Sequence, residues 1–255
     1  MIEDSELQKE IIKIKKDINA VILVHNYERD EVQDIADYIG DSLGLSRQAA
    51  KTNAKIIVFC GVYFMAETAS ILSPDKIVLL PEKDAGCPMA EMITASELRS
   101  LKKQHPDATV VCYVNSSAEV KAESDLCCTS ANADKVVLSV APDKKIIFVP
   151  DINLGKYVAK ITNRNLILWN GYCPTHAALS TEDIIKAKKL HPFARVWSHP
   201  ECSPEILNIS DRILSTGQMT TTCQKSEEEE IIIATEMGMM CRLVRDNPHK
   251  KFYLA

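Results

Sequence analysis

Short runs of consecutive apolar residues, rich in Val and Ile, recur along the chain: AVILVHN at 20–26, KIIVFC at 55–60, KIVLLP at 76–81, ATVVCYVN at 108–115, KVVLSV at 135–140, KIIFVP at 145–150 and NLILWN at 165–170. Runs of this length without polar alternation predict strands covered on both faces, as in parallel sheets. Polar stretches with helical spacing separate several of them, such as DEVQDIADYI at 30–39 and TASELRSLKKQ at 94–104. The second of these carries a Thr94 cap with Glu97 three residues on, the pattern of a capping box. Strands alternating with helices, with Gly, Pro and Asp at the turns, predict a parallel α/β fold.

One order of features occurs three times: a strand closing on a polar residue (His25, Asn115, His199), a helix, then a hydroxyl at the next turn (Ser42, Ser130, Thr216), at intervals of 84 to 90 residues. Two Cys-Pro pairs, at Cys87 and Cys173, stand 86 residues apart. This periodicity predicts three pseudo-symmetry-related α/β units around a central active site, spanning 1–88, 89–175 and 176–255. A third Cys-Pro, one interval further, would fall near position 259, so the last unit is expected to lack its C-terminal segment at Ala255.

With 255 residues, 46% of them apolar and 25% charged, the chain can bury an ordinary globular core. A net charge of -5 and a pI near 5.7 argue against nucleic acid as a partner. Lys13, Lys15 and Lys16 interleave with apolar residues as on a solvated helix face. No apolar stretch reaches the length of a membrane span, and the start MIEDSELQKE has no secretion-signal pattern, so a cytoplasmic location is expected. The nine cysteines, odd in number and without a CxxC pair, fit neither a disulfide framework nor a zinc ribbon or ferredoxin-type motif.

Three parallel α/β units facing a centre would bring strand ends and helix N-termini together, which makes an anion site. Each of Ser42, Ser130 and Thr216 taken alone reads as a helix cap; three at equivalent positions point to carboxylate or phosphate binding. His25, Tyr27, Tyr113, His199 and Glu201 stand at predicted strand ends, where groups that move protons near neutral pH are useful. WSHPEC sets His199 and Glu201 beside a proline-stiffened turn. Cys60 and Cys112 lie within apolar strands and read as small hydrophobes, whereas Cys87 and Cys173 sit in loops one repeat apart. Three such thiolates around an axis would bind a 4Fe-4S cluster and leave one iron open as a Lewis acid.

VHNY (24–27), GDS (40–42), GCPMAEM (86–92), CYVNSSAEVKAESDLCCTSANA (112–133), WNGYCPTH (169–176), SHPEC (198–202), STGQMT (215–220) and TEMGMMCRL (235–243) occur in this order along nearly the whole chain. Together they resemble the quinolinate synthase family. The resemblance implies three related α/β domains, a 4Fe-4S cluster held by one cysteine from each, and an active site in the central crevice. It implies Cys87 and Cys173 as two cluster ligands, Tyr27, Tyr113, His199 and Glu201 as proton-transfer residues, and His25, Ser42, Asn115, Ser130 and Thr216 as substrate-binding residues. The implied reaction condenses iminoaspartate with dihydroxyacetone phosphate to quinolinate, releasing phosphate and two waters, in de novo NAD biosynthesis. An aspartate-oxidising enzyme would be a transient partner. The family's third ligand lies in a C-terminal segment past the stretch that ends this chain. Cys202, Cys223 and Cys241 are the other cysteines in the last third, and truncation is the expectation. A noncatalytic sensor of the same fold and a different iron-sulphur hydro-lyase are the alternatives.

Overall fold

A computed structural model of the protein describes residues 4–255, in two compact units divided between Cys87 and Pro88. The first unit runs α1 (Asp4–Asp17), β1 (Ala20–His25), α2 (Asp30–Gln33), β2 (Tyr38–Gly40), α3 (Ser42–Lys51), β3 (Ile56–Cys60), α4 (Tyr63–Leu72) and β4 (Ile77–Leu79). The second opens on a 3-10 turn (Pro88–Glu91) and continues α5 (Ala95–Gln104), β5 (Thr109–Tyr113), α6 (Ala118–Ala122), β6 (Leu126–Cys128), α7 (Ala133–Ser139), β7 (Ile146–Val149), α8 (Ile152–Thr162) and β8 (Leu166–Leu168). It ends with α9 (Pro174–Ala177), α10 (Thr181–Leu190), β9 (Arg195–Ser198), α11 (Pro204–Ile209), β10 (Arg212–Ile213), α12 (Thr216–Cys223), β11 (Glu230–Ala234), α13 (Met239–Asp246) and β12 (Lys251–Leu254).

These elements build three four-stranded, all-parallel sheets with one topology, β2-β1-β3-β4, β6-β5-β7-β8 and β10-β9-β11-β12, so the expected fold class and threefold repetition are both present. Helices cover both faces of the inner strands β5 and β7, so all four residues of β7 are buried, as are Val110 to Tyr113 of β5. Trp197, Phe148, Ile146 and Ile147 are fully buried, each removing enough apolar surface from water to contribute about 1.5–3 kcal/mol. The Thr94–Glu97 capping box forms as expected at the start of α5.

Repetition extends to individual hydrogen bonds. At the start of the second strand of every sheet an aspartate Oδ2 accepts the amide of a first-strand residue: Ile22 to Asp37 (2.8 Å), Val110 to Asp125 (2.7 Å) and Val196 to Asp211 (2.8 Å). Just before every fourth strand a cation donates to carbonyls at the end of, or in the loop after, the helix between second and third strands. Lys76 reaches Ala49, Ala50 and Thr52; Arg164 reaches Val140, Ala141 and Lys144; Lys250 reaches Ser226 and Glu228. Helix C-termini leave carbonyls without intrahelical partners, and a cation there satisfies them and the helix dipole together.

Three local expectations need correction. KVVLSV is not a strand: its residues through Ser139 belong to α7, which buries Ala133 and Val137 at the i, i+4 spacing of a helix. A short apolar run cannot decide between the two periods alone. DEVQDIADYI is helical only through Gln33, because Gln33 turns inward to donate to the Asn26 and Glu28 carbonyls and Asp37 is taken by the Ile22 amide, so Tyr38 enters β2. The third concerns Asn115, which does not end a strand. The registers Val24↔Cys60, Cys112↔Val149 and Ser198↔Ala234 align His25 with Tyr113 and His199, and hence Asn115 with Tyr27 and Glu201. The hydroxyl set does align, since Ser42, Ser130 and Thr216 all follow the second strand at one register position.

Candidate active site

In each sheet the strand order reverses between the first and third strands, and in open α/β sheets the crevice beyond their carboxyl ends is where ligands bind. Within the second unit those ends are the loops after β5 and β7 and after β9 and β11. They carry Tyr113 and Asp151 in one sheet, and His199, Glu201 and Thr235 in the other.

These residues form one buried network. The Tyr113 hydroxyl donates to Glu201 Oε1 at 2.6 Å, across 88 residues of sequence. Glu201 Oε2 lies 2.9 Å from His176 Nδ1 and 3.8 Å from His199 Nδ1. His176 Nδ1 is also 3.1 Å from Cys173 Sγ, and its Nε2 is 2.7 Å from Thr235 Oγ1. A carboxylate can only accept, so Nδ1 of His176 carries a proton; Nε2 accepts from the Thr235 hydroxyl or, in the imidazolium, donates to it. The His176 and His199 rings stack at 4.8 Å. His199 Nδ1 accepts the Glu201 amide at 3.3 Å, which places the proton of its neutral ring on Nε2. Its counterpart His25 accepts the Tyr27 amide in the same way, at 3.3 Å.

Electrostatics give these groups different tasks. Burial would push the Glu201 carboxyl up, but the His199 and His176 imidazoles, with hydrogen bonds from His176 and Tyr113, bring it down to about 2. Burial, the Glu201 charge and the hydrogen bond to it hold the Tyr113 phenol well above its ordinary range, opposed by a hydrogen bond from the Ser130 hydroxyl. Glu201 is therefore an ionised acceptor and Tyr113 a protonated donor. Asp151 is fully buried and caps α8 through Oδ1, which accepts the Leu154 amide at 2.8 Å. Burial first and Glu201 second push its carboxyl up; the Leu154, Asn153 and Cys173 amides pull the other way, yet Oδ2 closes no hydrogen bond of ordinary length and angle. Two neighbouring carboxyls with ionisation pushed in opposite directions are a usual arrangement for acid–base work.

Of the residues expected from sequence, the structure brings Tyr113, Ser130, Cys173, His199 and Glu201 together. Thr216 is buried in the first turn of α12, and Asn115 is half-buried in the loop after β5. Neither Ser42 nor Thr216 caps its helix: Asp41 and Ser215 do so, leaving both hydroxyls for another task. His25, Tyr27, Ser42 and Cys87 lie in the first unit, where the His25 and Tyr27 rings meet edge to face at 4.8 Å. Sequence reasoning missed His176, Asp151, Thr235 and Asn153, whose side-chain amide donates to the Glu201 carbonyl at 3.3 Å. The spacing of Cys173 and His176, three apart at a proline-started helix turn, was the available signal for one of them.

Cys173, His176 and Glu201 offer ligand atoms within 4.8 Å of one another and could hold a metal ion. Of the three, Cys173, half-buried at the start of α9, offers the thiolate that a soft metal prefers. Its loop is held closely. Gly171 donates to the Pro150 carbonyl at 3.1 Å and a Cβ there would come within 2.6 Å of that oxygen, so only glycine fits. Cys202 and Cys223 suit a metal poorly, being fully buried with thiols pushed up by burial to about 12 and about 11. Cys241 is half-buried in α13.

Comparison with known proteins points to one family. The family model described as NadA, quinolinate synthetase A protein, matches residues 9–255. The chain is 55% identical to a quinolinate synthase of Dehalococcoides mccartyi over 246 residues, 96% of this chain and 81% of the relative. It is 55% identical to one from Geotalea uraniireducens over 250 residues (98% and 82%) and 53% identical to one from Caldicellulosiruptor bescii over 249 residues (97% and 82%).

Proposed function

The chain belongs to the quinolinate synthase family, and on that premise we propose that it condenses iminoaspartate with dihydroxyacetone phosphate to quinolinate, releasing phosphate and two waters. The observation that carries the reading is the buried line Tyr113–Glu201–His176–Thr235, set at the switch points of two sheets. Closing a pyridine ring from these substrates needs protons removed from carbon and delivered to departing hydroxyls. The protonated phenol and the ionised carboxylate share one short hydrogen bond that orients both groups, and His176 connects the carboxylate to Thr235.

In this reading Tyr113 delivers a proton from its phenol, Glu201 accepts one, and His199 presents its Nε2 proton to the substrate. Tyr27, at the register position of Glu201, is the fourth proton-transfer group. Ser42, Ser130 and Thr216, with His25 and Asn115, bind the phosphate and carboxylates. Cys87 and Cys173 would hold a 4Fe-4S cluster, which would supply Lewis-acid assistance to dehydration through an iron without a protein ligand. Cys87, like Cys173, directly precedes a proline that starts a helical turn. An aspartate-oxidising enzyme is the transient partner that supplies iminoaspartate.

The test is anaerobic reconstitution of the protein with iron and sulphide, followed by addition of both substrates and detection of quinolinate. Product is expected from the parent. Cys173→Ser should lose the cluster's visible absorption and product together, whereas Glu201→Gln should keep the absorption and lose product. A reconstituted protein that carries the cluster and forms no quinolinate overturns the reading.

A further inference from the structure

Cys112 and Cys127 are in-register partners on the parallel strands β5 and β6. In-register residues of neighbouring strands point to the same face, with strands about 4.8 Å apart. That spacing lies inside the Cα separation a disulfide tolerates, roughly 4.4–6.8 Å. β6 is the edge strand of its sheet; Cys127 on it is exposed, while Cys112 beneath is fully buried. The one proton of the Cys112 thiol has two alternative acceptors, the Tyr113 carbonyl at 3.2 Å and the Cys127 sulphur. The corresponding pairs in the other two sheets are Val24 with Ile39 and Ser198 with Ile213, so nothing in the shared scaffold calls for two thiols here.

We propose that Cys127 is a modification site for hydroperoxides, with Cys112 as its resolving thiol. The Cys127 thiolate attacks the O–O bond of a hydroperoxide, takes one oxygen as sulfenic acid and releases the corresponding alcohol or water. Cys112 then attacks the Cys127 sulphur. The S–S bond forms, the S–O bond breaks, and the departing hydroxide takes up the Cys112 proton as water. Peroxide is the oxidant and the two sulphurs are together oxidised by two electrons, so the step balances.

The environment favours this order of events. The hydrogen bond from Cys112, with Lys121 adding its charge, outweighs burial and brings the Cys127 thiol down to about 7. The same hydrogen bond, followed by burial, holds Cys112 well up, so Cys127 is the reactive member. Conversion of Cys127 to a neutral sulfenic acid removes the leading cause that keeps Cys112 protonated. Cys128, the next residue, is buried on the opposite face and its thiol is pushed up by burial, which sets it apart from this chemistry.

The experiment treats the purified protein with limiting hydrogen peroxide, blocks remaining thiols and maps tryptic peptides without reduction. Cleavage after Lys103, Lys121 and Lys135 puts Cys112 in one peptide and Cys127 with Cys128 in another. The expected result is a linked pair of these peptides that dithiothreitol separates. In Cys112→Ser the link should vanish and Cys127 should be trapped by dimedone as sulfenic acid. Iodoacetamide at pH 7 should label Cys127 about tenfold faster than Cys112 or Cys128. An unmodified Cys127 while other cysteines oxidise, or a Cys127–Cys128 link within one peptide, overturns the proposal. The readout is peptide mass, so the result does not depend on whether the protein makes quinolinate.

Discussion

The second and third sheets are built alike and finished differently. Both run second, first, third, fourth; both tie the first strand to an aspartate, Asp125 or Asp211; both close a helix end with a cation, Arg164 or Lys250. At the carboxyl end of the first strand the likeness stops: Tyr113 and Asn115 in one stand where His199 and Glu201 stand in the other. The backbone supports are needed by every sheet and so recur. The strand ends carry no structural load of that kind, and they hold complementary chemistry, a donor on one sheet facing an acceptor on the other at 2.6 Å. Repetition thus supplies geometry, and divergence at a few register positions supplies the site.

The largest break in this comparison should come from the divergent position. Glu201→Gln keeps the shape and an acceptor for Tyr113 but removes the ionised oxygen; quinolinate formation should fall about 10²–10⁴-fold in a steady-state assay. The shared supports should respond in stability instead. Arg164→Ala leaves the Val140, Ala141 and Lys144 carbonyls without their cation and should cost about 1–3 kcal/mol in urea denaturation, with Arg164→Lys recovering part. Asp125→Asn and Asp211→Asn should each cost roughly 1 kcal/mol, and equal losses would confirm the two aspartates as one device.

The smallest effect is one of sign. The Asp151 carboxyl is pushed up in the folded protein, so its contribution to stability is present below its unfolded value of about 3.9 and is lost as pH rises through the folded value. Asp151→Asn has no such loss. The stability of the variant relative to the parent should therefore increase as pH is raised from about 4 toward neutrality, read as the difference in urea midpoints. A difference that shrinks over that range would show Asp151 to be held in its charged form.

Much of the scaffold was legible because parallel strands buried on both faces announce themselves as unbroken Val and Ile runs, and the spacing of Ser42, Ser130 and Thr216 follows the true register. Asn115 misled because it is polar and near a strand end, while its equivalent by register is Glu201; only pairing with the neighbouring strand decides a shift of two residues. KVVLSV misled because α7 is barely two turns long, too short for its period to show. In the site, Tyr113 and Glu201 could be named, but their contact joins positions 88 residues apart. Asp151 went unnoticed because its second character, beyond capping α8, comes from burial beside Glu201, and burial of a loop residue has no local signature.

Each sheet takes all four strands from one uninterrupted stretch, 20–79, 109–168 or 195–254, with none lent to another. No sheet waits for a strand from outside its own stretch, so each can assemble once its own last strand has left the ribosome. The proton network obeys a different clock. It joins Tyr113, His176, Glu201 and Thr235, and the last of these follows directly on β11. During synthesis the chain therefore passes through a period in which finished sheets exist and the reacting groups have not yet met.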